Sequence, residues 1–385
     1  MQRPISVIFA VCIVLALLGW PIFSLNIGTS NVGTLPLTSE ARTGVTILTA
    51  QYPDYDQNPV LVVATATDSS DMLTASNLQR VATLTTWLAQ QPHVESVVSI
   101  MRPPSAPGSP VLSQQQLLSL YSTGTYKHIP ALAQFVSSTT ADGLTVVSVR
   151  SDTKLDSNAG KAQIDHFRTN KTVVQGLTLQ VGGVQATYLD FDRFLYSNFP
   201  KAIFFIIIVT FVLLMVMFRS LLIPLKAVVM NALSVSVSYG VLVFVFQWGH
   251  LSRILDFTSN GFIDSLIPIL LFCTLFGLSM DYEVFLLSRI REEWLLSHNN
   301  RLAVARGLEK TGSIITNAAL LFVIVTVAFT FTQLIVTKQI GLGMTVAILV
   351  DATIIRSLLV PATMRLLGRW NWWLPGRPLP PEQKI

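Results

Sequence analysis

The sequence predicts an α-helical membrane bundle of six transmembrane helices with a large α+β domain inserted after the first. Three observations carry that expectation. Six apolar runs are long enough to cross a bilayer. The basic residues of the short connections lie almost entirely on one side of those runs. A polar stretch from about residue 28 to 198 stands between apolar blocks.

Of the 385 residues, 51% are hydrophobic and 12% charged, against about 25% charged in an average soluble domain. Mean hydropathy is +0.56. The net charge of +5 is modest and sits beside apolar segments, where membrane orientation explains it better than a nucleic-acid face does. Cys12 and Cys273 fall in different apolar runs and there is no CxxC, so neither a zinc site nor a redox pair is indicated, and both read as small buried hydrophobes. No metal or other cofactor is expected. The polar stretch contains no cysteine and must fold without disulfides.

A membrane-spanning helix needs about 20 mostly apolar residues. The runs are Ile5 to Leu25, Ala202 to Phe218, Leu222 to Phe246, Ser265 to Leu287, Ser313 to Phe331 and Gly341 to Leu366. The first follows Arg3, as a cleaved signal peptide does, but it is long for one and lacks an A-x-A site, so an uncleaved anchor is expected. With the N-terminus inside, the inner side collects Arg3, Arg219, Lys226, Arg289, Arg291, Arg301, Arg306, Lys310, Arg365, Arg369, Arg377 and Lys384, while the short outer loops hold Arg253 and Lys338. Basic residues favour the cytoplasmic side. Both termini are therefore expected in the cytoplasm, with the inserted domain outside. Trp370, Trp372 and Trp373 suit an interfacial belt. The connector at 298–311, HNNRLAVARGLEKT, is basic and amphipathic and reads as a helix on the inner surface.

Within the polar stretch, PVLVVATAT from Pro59, HVESVVSI from His93, GLTVVSVRS from Gly143 and LTLQVGG from Leu177 read as strands. Helical patterns start near Ser70, Ser113 and Asp156, and a Pro/Ser-rich loop starts at Met101. The order is βαβ, insertion, βαβ, the pattern of a ferredoxin-like, split-βαβ domain. His93, His128 and His166 have no metal-ligand spacing, and no nucleophile–base pair is visible, so no enzyme is expected.

Carboxylates inside a bilayer are costly, about 2.5–3.5 kcal/mol on insertion scales, and usually functional. Asp281 lies about seven residues before Ser288, or roughly 10 Å above the inner boundary at 1.5 Å per residue. Tyr282 and Glu283 follow it, Glu283 close enough to the interface to be solvated. Asp351 lies near mid-membrane in the sixth run, with Arg356 one and a half turns later. By the same rise Arg356 reaches a depth close to that of Asp281, and Thr316 and Asn317 also fall near that depth, so helices four, five and six are candidates to share one polar layer. A carboxylate there is a switchable charge: desolvation favours its neutral form and a nearby cation its ionised form. An entering proton supplies about 1.4 kcal/mol per pH unit and about 2.3 kcal/mol per 100 mV. A structural role, pairing with Arg356 or other polar groups, is the alternative for both aspartates.

FGLSMDYEVFLLSRIREEW (Phe276 to Trp294), FRSLLIPLKAVVMNALS (Phe218 to Ser234) and KQIGLGMTVAILVDATIIRSLLVPATMRLLGRWNWWLP (Lys338 to Pro375) resemble MmpL-type transporters of the resistance–nodulation–division superfamily. The resemblance covers nearly the whole chain. It implies a proton-driven exporter of lipids, lipid conjugates or hydrophobic drugs in the bacterial inner membrane, with a porter domain facing outward. It further implies that Asp281 and Tyr282 form the proton relay, and that Asp351 and Thr353, in the DAT element, play a supporting part. The chain resembles the C-terminal half alone, with one Asp–Tyr pair where the family has two. A second half is then expected as partner, either another copy or a separately encoded chain, unless the chain is a fragment of a split gene. A transport-inactive half that binds lipid or scaffolds a partner complex is the alternative. The expected domains are a first span at 1–27, a porter-like domain at 28–199, a five-helix bundle at 200–368 and a cytoplasmic tail at 369–385.

Overall fold

The computed structural model describes residues 4–29, 32–36, 38–52, 58–104, 112–153 and 157–375. Two compact units emerge, one formed by 1–46 with 195–385 and the other by 47–194. In chain order, α1 (Pro4–Gly19) runs into a 3-10 turn at Trp20–Ser24, followed by β1 (Ile27–Gly28) and α2 (Glu40–Gln51). Next come β2 (Val60–Ala66), α3 (Ala75–Ala89), β3 (Val94–Val98), α4 (Gln114–Ser122), α5 (Pro130–Thr139), β4 (Thr140–Ala141), β5 (Leu144–Ser151), α6 (Asn158–Thr169) and β6 (Leu177–Gly182). The chain continues with α7 (Val184–Phe218), α8 (Leu222–Leu242), α9 (Ser252–Leu255), β7 (Ile263–Asp264), α10 (Leu266–Ser297), α11 (Asn300–Thr330), α12 (Ile335–Leu349) and α13 (Val360–Leu367).

The polar unit is built on one antiparallel sheet of order β3-β5-β2-β6, with β4 added beside β5. Alternation dictates its faces. Val60, Val62, Ala64 and Ala66 of β2 all point into the core, as do Val147 and Val149 of β5. Leu78, Val81, Leu84 and Leu88 of α3, at helical spacing, and Phe167 of α6 belong to the same core. The helix expected from Ser70 begins at Ala75. Asp68 accepts from the Ser70 amide at 3.1 Å and its hydroxyl at 2.6 Å, which makes a turn of that stretch, and Thr74 then caps the helix by accepting from the Asn77 amide at 3.4 Å. The start expected near Ser113 is a full capping box with Gln116. The sequence reading had no counterpart for α5, which opens on Pro130 at its first position. Tyr121 closes the core by donating to the Ile100 carbonyl at 2.7 Å, and burial pushes its phenol well above the ordinary value.

Among the described residues six helical segments are long and apolar enough to cross a membrane, and the chain is a multi-pass membrane protein. The segments through α8 and α12 are the interior ones, while α1, α7 and α11 expose most of their apolar residues, Leu17, Phe204 and Leu321 among them. Lipid is as apolar as those side chains, so helix association there depends on close packing and interhelical hydrogen bonds. Gly240 of α8 meets α1 so closely that a Cβ would lie 2.2 Å from the Leu18 carbonyl oxygen. Ser234 and Ser238 of α8 donate to the carbonyls of Ala347 (3.1 Å) and Gly343 (2.7 Å) on α12. At one end of the bundle a parallel ladder pairs Ile27 with Ile263, and Gln247 bridges the ends of the first and third segments through Ser24 and Asn26.

Several boundaries differ from expectation for identifiable reasons. α7 is continuous from Val184 with Pro200 inside it, so the boundary expected at 199 falls within a helix. The connector at 298–311 is not a separate surface helix but the first third of α11. Asn299 caps it, accepting from the Leu302 amide at 3.1 Å, and Gly307 packs so tightly on Ile290 that a Cβ would lie 2.5 Å from its Cγ1. Trp372 is buried rather than part of an interfacial belt: it stacks on Trp294 with centroids 5.7 Å apart and donates to Asn300 at 3.3 Å. Residues 369–373 therefore close the bundle instead of trailing as a tail. Cys12 and Cys273 are exposed on outward faces, not buried. Lys226 and Lys338, counted with the loops, sit inside α8 and α12 and are buried, Lys338 donating to the Leu255 and Asp256 carbonyls. Arg3, the loop at 105–110, Arg377 and Lys384 lie outside the described residues.

The glycines give a paired test. A Cβ at Gly312 in α11 meets nothing within 4 Å. Gly240→Val is expected to destabilise by about 1–3 kcal/mol through overpacking, and Gly312→Ala to stabilise by about 0.4–1 kcal/mol. Thermal unfolding of the purified chain in detergent checks both signs.

Candidate functional site

The sixth apolar segment is not one regular helix. Between α12 and α13, residues Val350–Leu359 form a π-helical stretch. In an α-helix, side chains five apart point about 140° away from each other. The wider π turn brings i and i+5 over one another, and Asp351 and Arg356 have that spacing. Arg356 Nη2 donates to Asp351 Oδ2 at 2.5 Å. The pair is nearly sealed from solvent, with side chains 5% (Arg356) and 13% (Asp351) exposed.

Helix α10 completes the cluster. Ser279 Oγ donates to the same Asp351 oxygen at 2.9 Å, and Arg356 Nη2 also donates to the Ser279 carbonyl at 2.8 Å. The Arg356 guanidinium lies 4.9 Å from the centroid of the Tyr282 ring, a cation–π arrangement. Ser234, Ser279, Tyr282, Asp351 and Arg356 line a cavity of about 20 Å³, room for about one water molecule. The site therefore holds a carboxylate already engaged by a cation and a hydroxyl, beside the Tyr282 ring and a space for water. Such a group can accept a proton when its cation is drawn away and release it when the cation returns.

Of the residues singled out in the sequence, the structure brings together Tyr282, Asp351 and Arg356. It does not bring in Asp281, Thr316, Asn317 or Thr353, all of which are exposed on outward faces. Thr353 turns its hydroxyl back to the Leu349 carbonyl at 2.5 Å. The reason is rotation about the helix axis. Successive residues turn by about 100°, so Ser279 and Tyr282 share the inward face of α10 while Asp281 points away from it. On α11 the inward positions belong to Ile315 and Ala319, which bracket Thr316 and Asn317. Among the described residues Asp281 makes no side-chain hydrogen bond or ion pair. Its outward stripe also contains Cys273, Thr274 and Gly277, all exposed and small.

Two inward groups were missed. Ser279 carried a signal, lying three residues before Tyr282 on the same helical face. Glu283 was expected to be solvated, yet it is 6% exposed, because it follows Ser279 by four residues and turns into the bundle.

The chain matches the MMPL family over residues 35–383. It is 35% identical to a mycolic acid-containing lipids exporter, MmpL11 of Mycolicibacterium smegmatis, over 97% of this chain and 36% of the relative. It is 34% identical to the heme uptake protein MmpL11 of Mycobacterium tuberculosis, over 97% and 35% respectively. Similarity to the trehalose monomycolate exporter MmpL3 of Mycobacterium tuberculosis is 38% over 53% of this chain and 22% of the relative. The chain thus spans about a third of the length of the curated MmpL11 relatives that it matches end to end.

The buried pair makes a thermodynamic prediction. Asp351→Asn leaves the Arg356 charge buried without its counterion, and losses of about 3–5 kcal/mol are typical of that change. The double variant Asp351→Asn/Arg356→Met is expected to recover much of this, measured by unfolding in detergent; strictly additive losses would contradict the coupling. With the matched region covering most of the sequence, the chain belongs to the MMPL family.

Proposed function

We propose that this chain is one half of an exporter driven by the proton-motive force, moving lipids, lipid conjugates or hydrophobic drugs across the bacterial inner membrane. In this reading Asp281 and Tyr282 form the proton relay, Asp351, Arg356 and Thr353 support it, and Thr316 and Asn317 contribute polar surface beside it. Both termini lie in the cytoplasm. The polar unit is a ferredoxin-like porter domain on the outer side, a reading supported by its strand order β3-β5-β2-β6, with α3 and α6 following the first and third of those four strands in sequence.

The observation that carries the proposal is the placement of Asp281. It lies fifteen residues into α10, about 22 Å along the helix axis, on a face that turns away from its own bundle and carries small residues, Cys273, Thr274 and Gly277, over the two turns before it. An intramembrane carboxylate normally faces a bundle interior or a water-filled cavity. Small residues let a second helix approach closely. Both features support a second transporter half against this face, either another copy or a separately encoded chain. Tyr282, next in sequence, turns the other way and stacks on Arg356, so the Asp–Tyr pair straddles the outer face and the buried ion pair. The cargo class is carried over from lipid-exporting relatives.

In cells or vesicles that contain the complete complex, Asp281→Asn is expected to abolish proton-dependent efflux, a loss of at least tenfold, about 1.4 kcal/mol in the driving step. Membrane insertion and thermal stability should stay at the unmodified level, since Asp281 makes no contact that the fold depends on. Unchanged efflux under a maintained proton gradient would sink the assignment.

A further inference from the structure

A second set of buried ionisable groups lies in the same bundle, apart from Asp281. Lys226 of α8 is 9% exposed and Glu283 of α10 is 6% exposed. Lys226 Nζ and Glu283 Oε1 are fully buried, yet neither has a hydrogen-bond partner in the protein. Arg356 is in the same condition: Nη2 is used on Asp351 and Ser279, while Nε and Nη1 have no partner. Asn231 of α8 donates Nδ2 to the Phe276 carbonyl at 3.3 Å and leaves Oδ1 unpaired. Three buried donors and two buried acceptors are thus unmatched on α8, α10 and the π-helical stretch. The charged groups that face Glu283 are Lys226 from α8, and Arg356 and Asp351 from the π-helical stretch.

Buried polar atoms in proteins are bonded to protein or to ordered water in the great majority of cases, and a charged group left unsatisfied is costly. A fully structural ion pair would close its own gap, as Arg356 and Asp351 do at 2.5 Å. Lys226 and Glu283 do not make such a contact, and Arg356, whose own Nε and Nη1 are unmatched, shares their electrostatic neighbourhood. Water between these groups would satisfy them, and water joined to a carboxyl group can conduct protons.

We propose that Glu283 is a second proton-exchanging carboxyl of this bundle, balanced by Lys226 and joined through water to the Asp351–Arg356 pair. Glu283 takes a proton from hydronium delivered along that water, leaving water behind, to become a neutral acid, and returns it to water as hydronium or to the Asp351 carboxylate; only O–H bonds form and break. The inference deepens the proton-driven reading of the same site and rests on it for its purpose, but its chemistry stands apart from Asp281.

The test is an infrared titration of the whole chain, purified into lipid nanodiscs. A carboxylic-acid carbonyl band that appears and disappears reversibly with pH, and shifts in heavy water, is expected in the unmodified protein and in Asp281→Asn. That band should be lost in Glu283→Gln. The double variant Lys226→Met/Glu283→Gln, neutral at both positions, serves if the single variant does not fold, and should lack the band as well. A band that survives both changes, or the absence of any titrating band beyond one removed by Asp281→Asn, overturns the proposal. No transport is read in this experiment. Retained efflux in Asp281→Asn would count against the relay while leaving Glu283 untouched, and a band independent of Glu283 would do the reverse.

Discussion

An arginine and an aspartate joined inside an apolar bundle set the terms for the rest of this structure. Hydrocarbon offers no water to either charge, so each must find its partner within the protein. The spacing of Asp351 and Arg356 is wrong for a regular helix, and the sixth segment widens into a π-helical stretch that corrects it. Ser279 must then come within hydrogen-bond reach from α10, and Ser234 and Ser238 hold α8 against α12 just above. Gly240 lets α8 approach α1, and Gly343 lets α12 approach α8 and α10, a Cβ at Gly343 meeting Leu271 at 2.7 Å. The packing of α8, α10 and α12 around the π-helical stretch thus brings partners to one ion pair buried in the bundle.

Much of this was legible in the sequence, and the rest failed for a common reason. Apolar runs and basic flanks located all six segments, because length and charge are one-dimensional properties. Alternation in PVLVVATAT and the helical pattern from Ser113 located a strand and a helix start, because those signals are local. The rise per residue also gave depth, and it put Arg356, Thr316 and Asn317 near the level of Asp281. It could not give rotation. Asp281 and Tyr282 are adjacent and differ by about 100° around the axis, which turns one outward and the other onto Arg356. Thr316 and Asn317 share the depth of the cluster and not its direction. The π-helical stretch has no clear signature beyond the i, i+5 pair itself. Trp372 was misplaced because its partners, Trp294 and Asn300, are distant in sequence.

The same geometry gives the proposed function its physical form. The buried pair, with Tyr282 over the guanidinium, is self-contained within this chain. Asp281 is not: it stands on a face of small residues with no side-chain partner among the described residues. Relatives of the family carry lipid-export and heme-uptake names and are about three times as long. On the proposed reading, the missing interactions of Asp281 come from a second transporter half, and the relay is complete only when that half is in place.

Two native cysteines allow this to be measured directly. Cys273 lies on the Asp281 stripe and Cys12 on α1, and both are exposed in the isolated chain. Photolabelling in native membranes by a lipid-soluble diazirine, whose carbene inserts into S–H and C–H bonds and needs no thiolate, should tag Cys12 readily and spare Cys273, with protection lost once the complex is dissociated in detergent. Equal labelling of the two cysteines in native membranes would show that the Asp281 face meets lipid, and would contradict the account.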